Sequence, residues 1–425
     1  MLPLIFITAY AARSPAERLS MRHEQRSAFE RRVRALAAFG HRGSTTNRER
    51  AAADYLFEEF KSVGFEPERE TFTGSKSFGA RVLIHVLIAT VGAMGLWIWP
   101  VLSIGVDIIV LLSLWAENST RGIWLSRPLV RYPSINLSAT IPAVAPRLRL
   151  IVSGHYDTQR TGILWRIGKY VIPLFWWLPA FLKPPLTLLG VVIVGQSVLS
   201  AFAMIHGPHP AITTGNLVVL GLYLFAIVLL ADWAIGPFVP GAADNATGAA
   251  AALALGEAWQ TEPVQGVELV ILIPSCEESG LLGATAWADR HRQELKELPT
   301  IFLNFDNLGV GPPRFFDADL PLFGWPIMYP DEMVNMAKET ARSIGLEDID
   351  PHTMPGPTDG LAFLVRGIPG MTIVSFRAHG YMPWYHLPGD TADHLDFDEA
   401  WRAVSFGWEL LQRFATNQSK TIAQR

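Results

Sequence analysis

The sequence predicts an α/β protein with a mostly parallel central sheet covered by helices, into which apolar helical hairpins are inserted. Three observations predict it. From residue 236 onward, short β-branched apolar runs alternate with helical patterns, as parallel strands with helical crossovers do. VELVILI (267–273) is apolar at nearly every position and is bounded by Gly266 and Pro274, as a strand covered on both faces is. The blocks 82–115 and 163–235 are nearly free of charge and contain stretches of membrane-spanning length.

Composition sets outer bounds. The 425 residues suffice for one large or two ordinary domains, and the net charge of −4 excludes a general attraction to nucleic acid. The lone cysteine, Cys276, rules out an intrachain disulfide and favours a reducing compartment. Only 17% of residues are charged, against about 25% in an average soluble domain. The mean hydropathy is +0.24, so part of the chain is suited to lipid or to a very large buried surface.

In chain order, MLPLIFITAY is a short apolar run whose positive charge follows it, a poor signal peptide and an equally good buried or membrane-touching terminus. Residues 22–63 read as two helices, the second started by Ser, Thr and Asn. EPERETFTG reads as an exposed strand. The block 82–115 carries Asp107 as its one charge. It is too long for one spanning helix of about 20 residues and fits a tight hairpin turning near Pro100. LRLIVSG (148–154) is a second buried strand. WRIGKYVIPLFWWLPAFLKPP (165–185) is Pro-broken and Trp-rich, which fits an interfacial or re-entrant segment. Spans follow at 186–205 and 216–235, joined by turn residues at 206–215. A soluble interface or lid is the alternative reading of both apolar blocks. Beyond them come an Ala-rich helix from 249, the strand 267–273, a helix 281–295, the strand TIFLNFD (300–306), helices 331–344 and 358–366, the strand MTIVSF (371–376) and a last helix 396–415.

Several acids and histidines fall just past a strand or at a helix start: His155 and Asp157 in HYD, Asp244 in ADNATG, Glu277 and Glu278 in CEESG, Asp306 in NFDNLG, and His386 and Asp390 in WYHLPGD. Open α/β sheets place ligands at the carboxyl ends of their strands. Singly, each residue reads as a cap or turn residue. Together they supply what two zinc ions need: two histidines, a terminal carboxylate for each ion and a bridging carboxylate. His155, Asp244, Glu278, Asp306 and His386 fill those places. Glu277 is left as a base, and Asp157 can orient the ring of His155 from two residues away.

The motifs SGHYDT, GAADNATGAA, CEESGLLGA, NFDNLG, TDGLAF and YHLPGDTADHL, in this order, resemble the co-catalytic two-zinc aminopeptidases, a group that includes the bacterial leucyl aminopeptidases, aminopeptidase Y and glutamate carboxypeptidase II. The resemblance covers the N-terminal helices, 132–162 and 238–415. It implies a zinc exopeptidase-like fold and two Zn²⁺, one held by His155, Asp244 and Asp306, the other by Asp244, Glu278 and His386. It implies Glu277 as general base, a peptide substrate, and a cis bond at Asp244–Asn245. Gly360 stands where many relatives carry a polar residue. Relatives that cyclise N-terminal glutamine with one zinc, and non-catalytic scaffolds that have lost ligands, are the alternatives; neither accounts for a complete ligand set.

The resemblance divides the chain into N-terminal helices of the catalytic domain (1–80), an inserted transmembrane hairpin (81–116), catalytic domain (117–162), an inserted interfacial segment with a second hairpin (163–235), and catalytic domain (236–425). His155 lies between the inserted blocks and the other ligands follow the second, so each block must cross the bilayer an even number of times. Lys76, Arg81, Arg121, Arg127, Arg131, Arg160, Arg166 and Lys169 flank the spans on the catalytic side, and the hairpin tips carry no Lys or Arg. The expectation is an integral membrane protein with a cytoplasmic catalytic domain.

Overall fold

The computed structural model describes residues 15–423 apart from 176, 180, 181, 347, 348, 350, 354 and 355; the apolar run at 1–10 lies outside the described residues. The described residues begin with two helices, α1 (Pro15–Ala37) and α2 (Asn47–Ser62). Thr46 caps α2 by accepting a hydrogen bond from the Glu49 amide at 3.2 Å. After β1 (Glu68–Ser75) come α3 (Phe78–Met94), α4 (Pro100–Asn118), β2 (Val130–Ile141), β3 (Leu148–Ser153) and α5 (Ile163–Phe175). The long helices α6 (Thr187–His206) and α7 (Pro210–Ile235) follow, then α8 (Thr247–Thr261), β4 (Val267–Ile273), α9 (Leu282–Arg290) and α10 (Glu294–Glu297). The remainder is β5 (Thr300–Asp306), β6 (Pro313–Phe316), β7 (Ala318–Asp319), β8 (Ile327–Met328), α11 (Asp331–Ser343), β9 (Pro351–His352), α12 (Gly360–Leu364), β10 (Gly370–Ser375) and α13 (Phe397–Ala423).

Eight strands form one sheet in the order β1-β2-β4-β3-β5-β10-β6-β9, and β7 pairs with β8 alone. The centre, β4-β3-β5-β10, is parallel; β1, β2 and β6 pair antiparallel at its sides. Every residue of β4 is buried; Glu268, the one charge in the run, pairs with Arg149 of β3. The Ala-rich α8 lies directly on the sheet, where small side chains let helix and sheet approach closely; Ala249 through Ala252 are fully buried.

Among the described residues, four helices are long and apolar enough to cross a membrane: α3 with the 3-10 turn that continues it to Trp97, α4, α6 and α7. At 1.5 Å per residue the 26 residues of α7 span about 39 Å, against about 30 Å of bilayer hydrocarbon. Ser77 starts α3 at Phe78 by accepting from the Ala80 amide, a little earlier than the boundary read from hydropathy. Pro100 occupies the first turn of α4, where its missing N–H costs nothing. Pro210 does the same in α7, so the second turn is shorter than the 206–215 link read from the sequence.

The two hairpins pack on each other, α3 against α7 and α4 against α6. Gly92 permits the close approach of α3 and α4, since a Cβ there would meet Val106 at 3.0 Å. Polar contacts lie inside the bundle. Ser197 donates to fully buried Asp107 at 2.8 Å, Ser200 donates to Ser103 at 3.0 Å, and the Asn216 amide reaches the Ala93 carbonyl. The outer faces are apolar: Leu217, Leu224 and Phe225 are each more than 60% exposed.

The bundle is tied to the sheet domain at its base. Arg81 is not a free flanking cation but is buried; it donates to Glu117, to Ser126 and to the carbonyl of Ser279. Asp232, in the last turn of α7, accepts from the Ile163 amide at 2.6 Å.

Candidate active site

The carboxyl ends of the parallel strands converge on one point. His155 and Asp157 follow β3, Glu277 and Glu278 follow β4, Asp306 ends β5, and His386 lies beyond β10. Asp244 enters from the loop before α8. Gly154 lets that loop close in: a Cβ there would sit 2.3 Å from the backbone of Gly248. Asn245 fixes the loop to β5 by donating to the Phe305 carbonyl at 2.8 Å and accepting from the Gly248 amide at 2.7 Å. The Asp244–Asn245 peptide is cis.

Asp244 sits between two groups. Its Oδ1 lies 3.4 Å from His155 Nε2, and its Oδ2 lies 3.0 Å from His386 Nε2. His155 Nε2 is also 3.7 Å from Asp306 Oδ1, and His386 Nε2 is 3.3 Å from Glu278 Oε2. Two ligands on one zinc at about 2.05 Å in tetrahedral geometry stand about 3.4 Å apart, so these separations suit ligands that share an ion. Both ring nitrogens of His155, Nδ1 of His386 and Oε1 of Glu278 are buried without a hydrogen-bond partner. Buried polar atoms are ordinarily paired, and a cation among these groups would satisfy His155 Nε2 and Glu278 Oε1; the two Nδ1 atoms lie on the far side of their rings. His155, Glu277 and Asp306 form one candidate metal-holding group, and Asp244, Glu278 and His386 the other. Glu277 Oε2 is 3.8 Å from His155 Nε2, so Glu277 borders the first group rather than standing apart from it.

The electrostatics match a site built for positive charge. Burial would lower the pKa of His155, but the carboxylates of Glu277, Asp157, Asp244 and Asp306 outweigh it and hold the ring well above its usual value. His386 is pushed up to about 9; there too burial is overcome, chiefly by Glu278 and Asp244. Burial lifts Glu277 well above the carboxylate range and, with Asp244 beside it, lifts Glu278 to about 7. Asp244 goes the other way: burial opposes ionisation, but the rings of His155 and His386 on either side of it keep it below its usual value.

The supporting residues are equally specific. Asp157 is fully buried, and its Oδ1 lies 3.4 Å from His155 Nδ1. It also accepts from the Glu277 amide at 3.1 Å, the Glu278 amide at 3.3 Å and the Ser44 hydroxyl at 2.6 Å. One side chain thus positions the histidine and both glutamates. Glu277 and Glu278 stand in a turn. Cys276 and Leu281 on either side are left-handed, with φ of 56° and 58°, and the turn aims the two acids at different groups. Asp390 accepts from the amides of Ala243 and Asp244 at 2.7 and 3.1 Å and so holds Asp244 in place.

Some site residues have no role assigned to them from the sequence, although Asp359 and Tyr385 stand in the motifs TDGLAF and YHLPGDTADHL. Gln159 donates to Glu278 Oε2 at 2.7 Å and accepts from the Trp233 indole at the base of α7. Asp359 is fully buried, has no hydrogen-bond partner for either oxygen, and is raised by burial to about 8. Trp165 of α5 meets the His386 ring edge-on at 4.1 Å, while Tyr385 stacks on that ring at 3.7 Å.

Comparison with known proteins agrees with this geometry. The sequence profile of Peptidase family M28 matches residues 227–410. Aminopeptidase YwaD of Bacillus subtilis (strain 168) is 24% identical over 161 residues, which cover 37% of this chain and 34% of that protein. The match thus spans about a third of the length of that curated relative. Among solved structures, an aminopeptidase from Aneurinibacillus sp. strain AM-1 superposes with a TM-score of 0.52 at 13% identity, covering 91% of this chain and 93% of its own. A glutaminyl cyclase of Bacteroides thetaiotaomicron bound to N-acetylhistamine superposes with a TM-score of 0.54 at 12% identity, covering 91% and 97%. These structures share the fold. With its motifs in order and its acids and histidines at the strand ends, the chain is similar to peptidase family M28 over residues 227–410.

Proposed function

We propose that this protein is a membrane-anchored, zinc-dependent aminopeptidase that removes N-terminal residues from peptides. The observation that carries the reading is Asp244, whose two oxygens address two separate histidine-carboxylate groups. His155 and Asp306 would complete one zinc site, and Glu278 and His386 the other. Bound zinc supplies Lewis-acid polarisation of the scissile carbonyl and lowers the pKa of a bound water. Glu277 takes the proton from the attacking water and returns it to the leaving amine. Asp157 orients His155 and the Glu277–Glu278 turn, and Gln159 steadies Glu278. A cyclase of the glutamine type needs only one ion and three ligands, which leaves the second group here without a purpose.

The experiment is a panel of free and N-blocked aminoacyl amides and peptides, assayed with purified protein before and after chelation. Hydrolysis of the free-amino substrates, lost on chelation and restored by zinc, is expected. Cleavage confined to N-blocked substrates would contradict the aminopeptidase reading.

We further propose that the hairpins span the bilayer with the catalytic domain in the cytoplasm, on the distribution of basic residues. In intact cells a membrane-impermeant thiol reagent should label Thr213→Cys at the exposed tip of α7 and spare Lys61→Cys on α2. Labelling of Lys61→Cys alone would invert the topology.

A further inference from the structure

The metal-holding groups do not open only to water. A cavity of about 590 Å³ has Glu277, Glu278 and His386 at one end and runs up between α6 and α7, where Leu188, Val192, Leu222 and Phe225 line it. Leu222 lies three to four turns from the domain end of α7, about 20 Å along the axis. That depth reaches well into the hydrocarbon layer if the hairpin spans it. Leu188 is 73% exposed, Phe225 64% and Leu222 46%, so the cavity is a groove open sideways on the lipid-facing surface of the bundle.

The threshold between the polar and apolar ends is built from Trp165 and Trp233, whose rings meet edge-on at 5.2 Å. Trp233 is committed to Gln159. Trp165 Nε1 is buried and has no hydrogen-bond partner, although an indole N–H is a donor that ordinarily finds one when buried. It stands at the point where a substrate carbonyl would pass from the groove to the metal groups. Past this threshold the lining is almost wholly apolar. A peptide backbone laid there would leave its N–H and C=O groups unsatisfied, at several kcal/mol each. A hydrocarbon chain carries no such groups.

We infer that the groove between α6 and α7 is a substrate channel for a long alkyl chain, so that the preferred substrate is a lipid-borne amide entering from the bilayer with its scissile bond at Glu277 and its chain along α7. The inference rests on the reading of this site as an amide-cleaving zinc centre.

The test uses the full chain in phospholipid vesicles and leucine butyl-, octyl- and dodecylamide, with kcat/KM referred to the free aqueous concentration of each substrate. Complete burial gains about three- to fourfold per methylene, so kcat/KM for the dodecylamide should exceed that for the butylamide by at least about 100-fold. Ala226→Trp places a bulky ring in the middle of the groove and should cut that ratio at least tenfold. A dodecylamide with a terminal diazirine should label Leu188–Val192 or Leu222–Ala226 on irradiation of the wild-type protein, whether or not metal is bound. A chain-length ratio near one, or label outside α6 and α7, overturns the inference. A leucyl-oligoleucine peptide cleaved as well as the dodecylamide would make the occupant an apolar peptide and overturn the alkyl assignment. If no amide is cleaved, the aminopeptidase reading fails, and the photolabel still decides whether the groove holds an alkyl chain.

Discussion

Glu277→Gln is expected to lower kcat by about 10²–10⁴-fold, the usual contribution of a positioned acid-base group, while leaving the zinc content unchanged. The side chain borders the His155–Asp306 group without being needed to complete it, since Asp244 Oδ1 is closer to His155 Nε2 than Glu277 Oε2 is, 3.4 against 3.8 Å. Glutamine keeps the size and loses the proton acceptor, so the loss should fall on kcat and spare KM. Glu278→Gln should behave differently. Glu278 faces His386 at 3.3 Å and takes a hydrogen bond from Gln159, so its replacement should release the metal of that group and lower activity through occupancy. Excess zinc should restore part of the Glu278→Gln activity and none of the Glu277→Gln activity. Elemental analysis of both variants, with kcat and KM at saturating zinc, separates the roles. A reversed pattern would make Glu277 the ligand and Glu278 the base.

The legibility of this site in the sequence was uneven for physical reasons. His155, Asp157, Asp244, Glu277, Glu278, Asp306 and His386 could be picked out because acids and histidines directly after apolar strands are placed by the strands themselves, and β3, β4 and β5 run as read. The roles of Gln159 and Asp359 depend on contacts between distant segments, with Trp233 and Glu278 in one case and a fully buried pocket in the other. No local pattern encodes Gln159, and the TDGLAF motif that contains Asp359 does not show that its side chain is buried. Strand β2 escaped notice because Pro133, Ser134, Asn136 and Ser138 break the apolar pattern. Its register between β1 and β4 is set by pairing, and Asn136 spends its side chain on the Gly283 carbonyl and the Ser275 amide beside the glutamate turn. The segment after 163 was legible as interfacial by composition, but which face of α5 meets His386 was not; Trp165 is turned inward by packing on Trp233 and Tyr385. Arg81 reads as a topogenic charge in sequence and proves to be an anchor, because Glu117 arrives from the other arm of the hairpin.

Asp244→Ala should have the broadest effect of any single change at the site. It removes the one side chain that faces both histidines, so it takes a ligand from each metal group. Zinc content should fall to well below one ion per chain after dialysis, and activity to the level of the chelated protein. The change need not unfold the domain: the loop is still held by Asp390 through backbone amides and by Asn245. Circular dichroism should therefore match the wild type while metal and activity are lost. Retention of one full equivalent with partial activity would show that Asp244 serves a single ion.

The central claim is a two-zinc centre, and the metal content of the wild-type protein tests it most directly. Protein purified without chelator, or stripped and then titrated with zinc, should bind two ions per chain. Activity should reach its maximum only as the second equivalent is taken up. Full activity at one ion per chain would contradict the account.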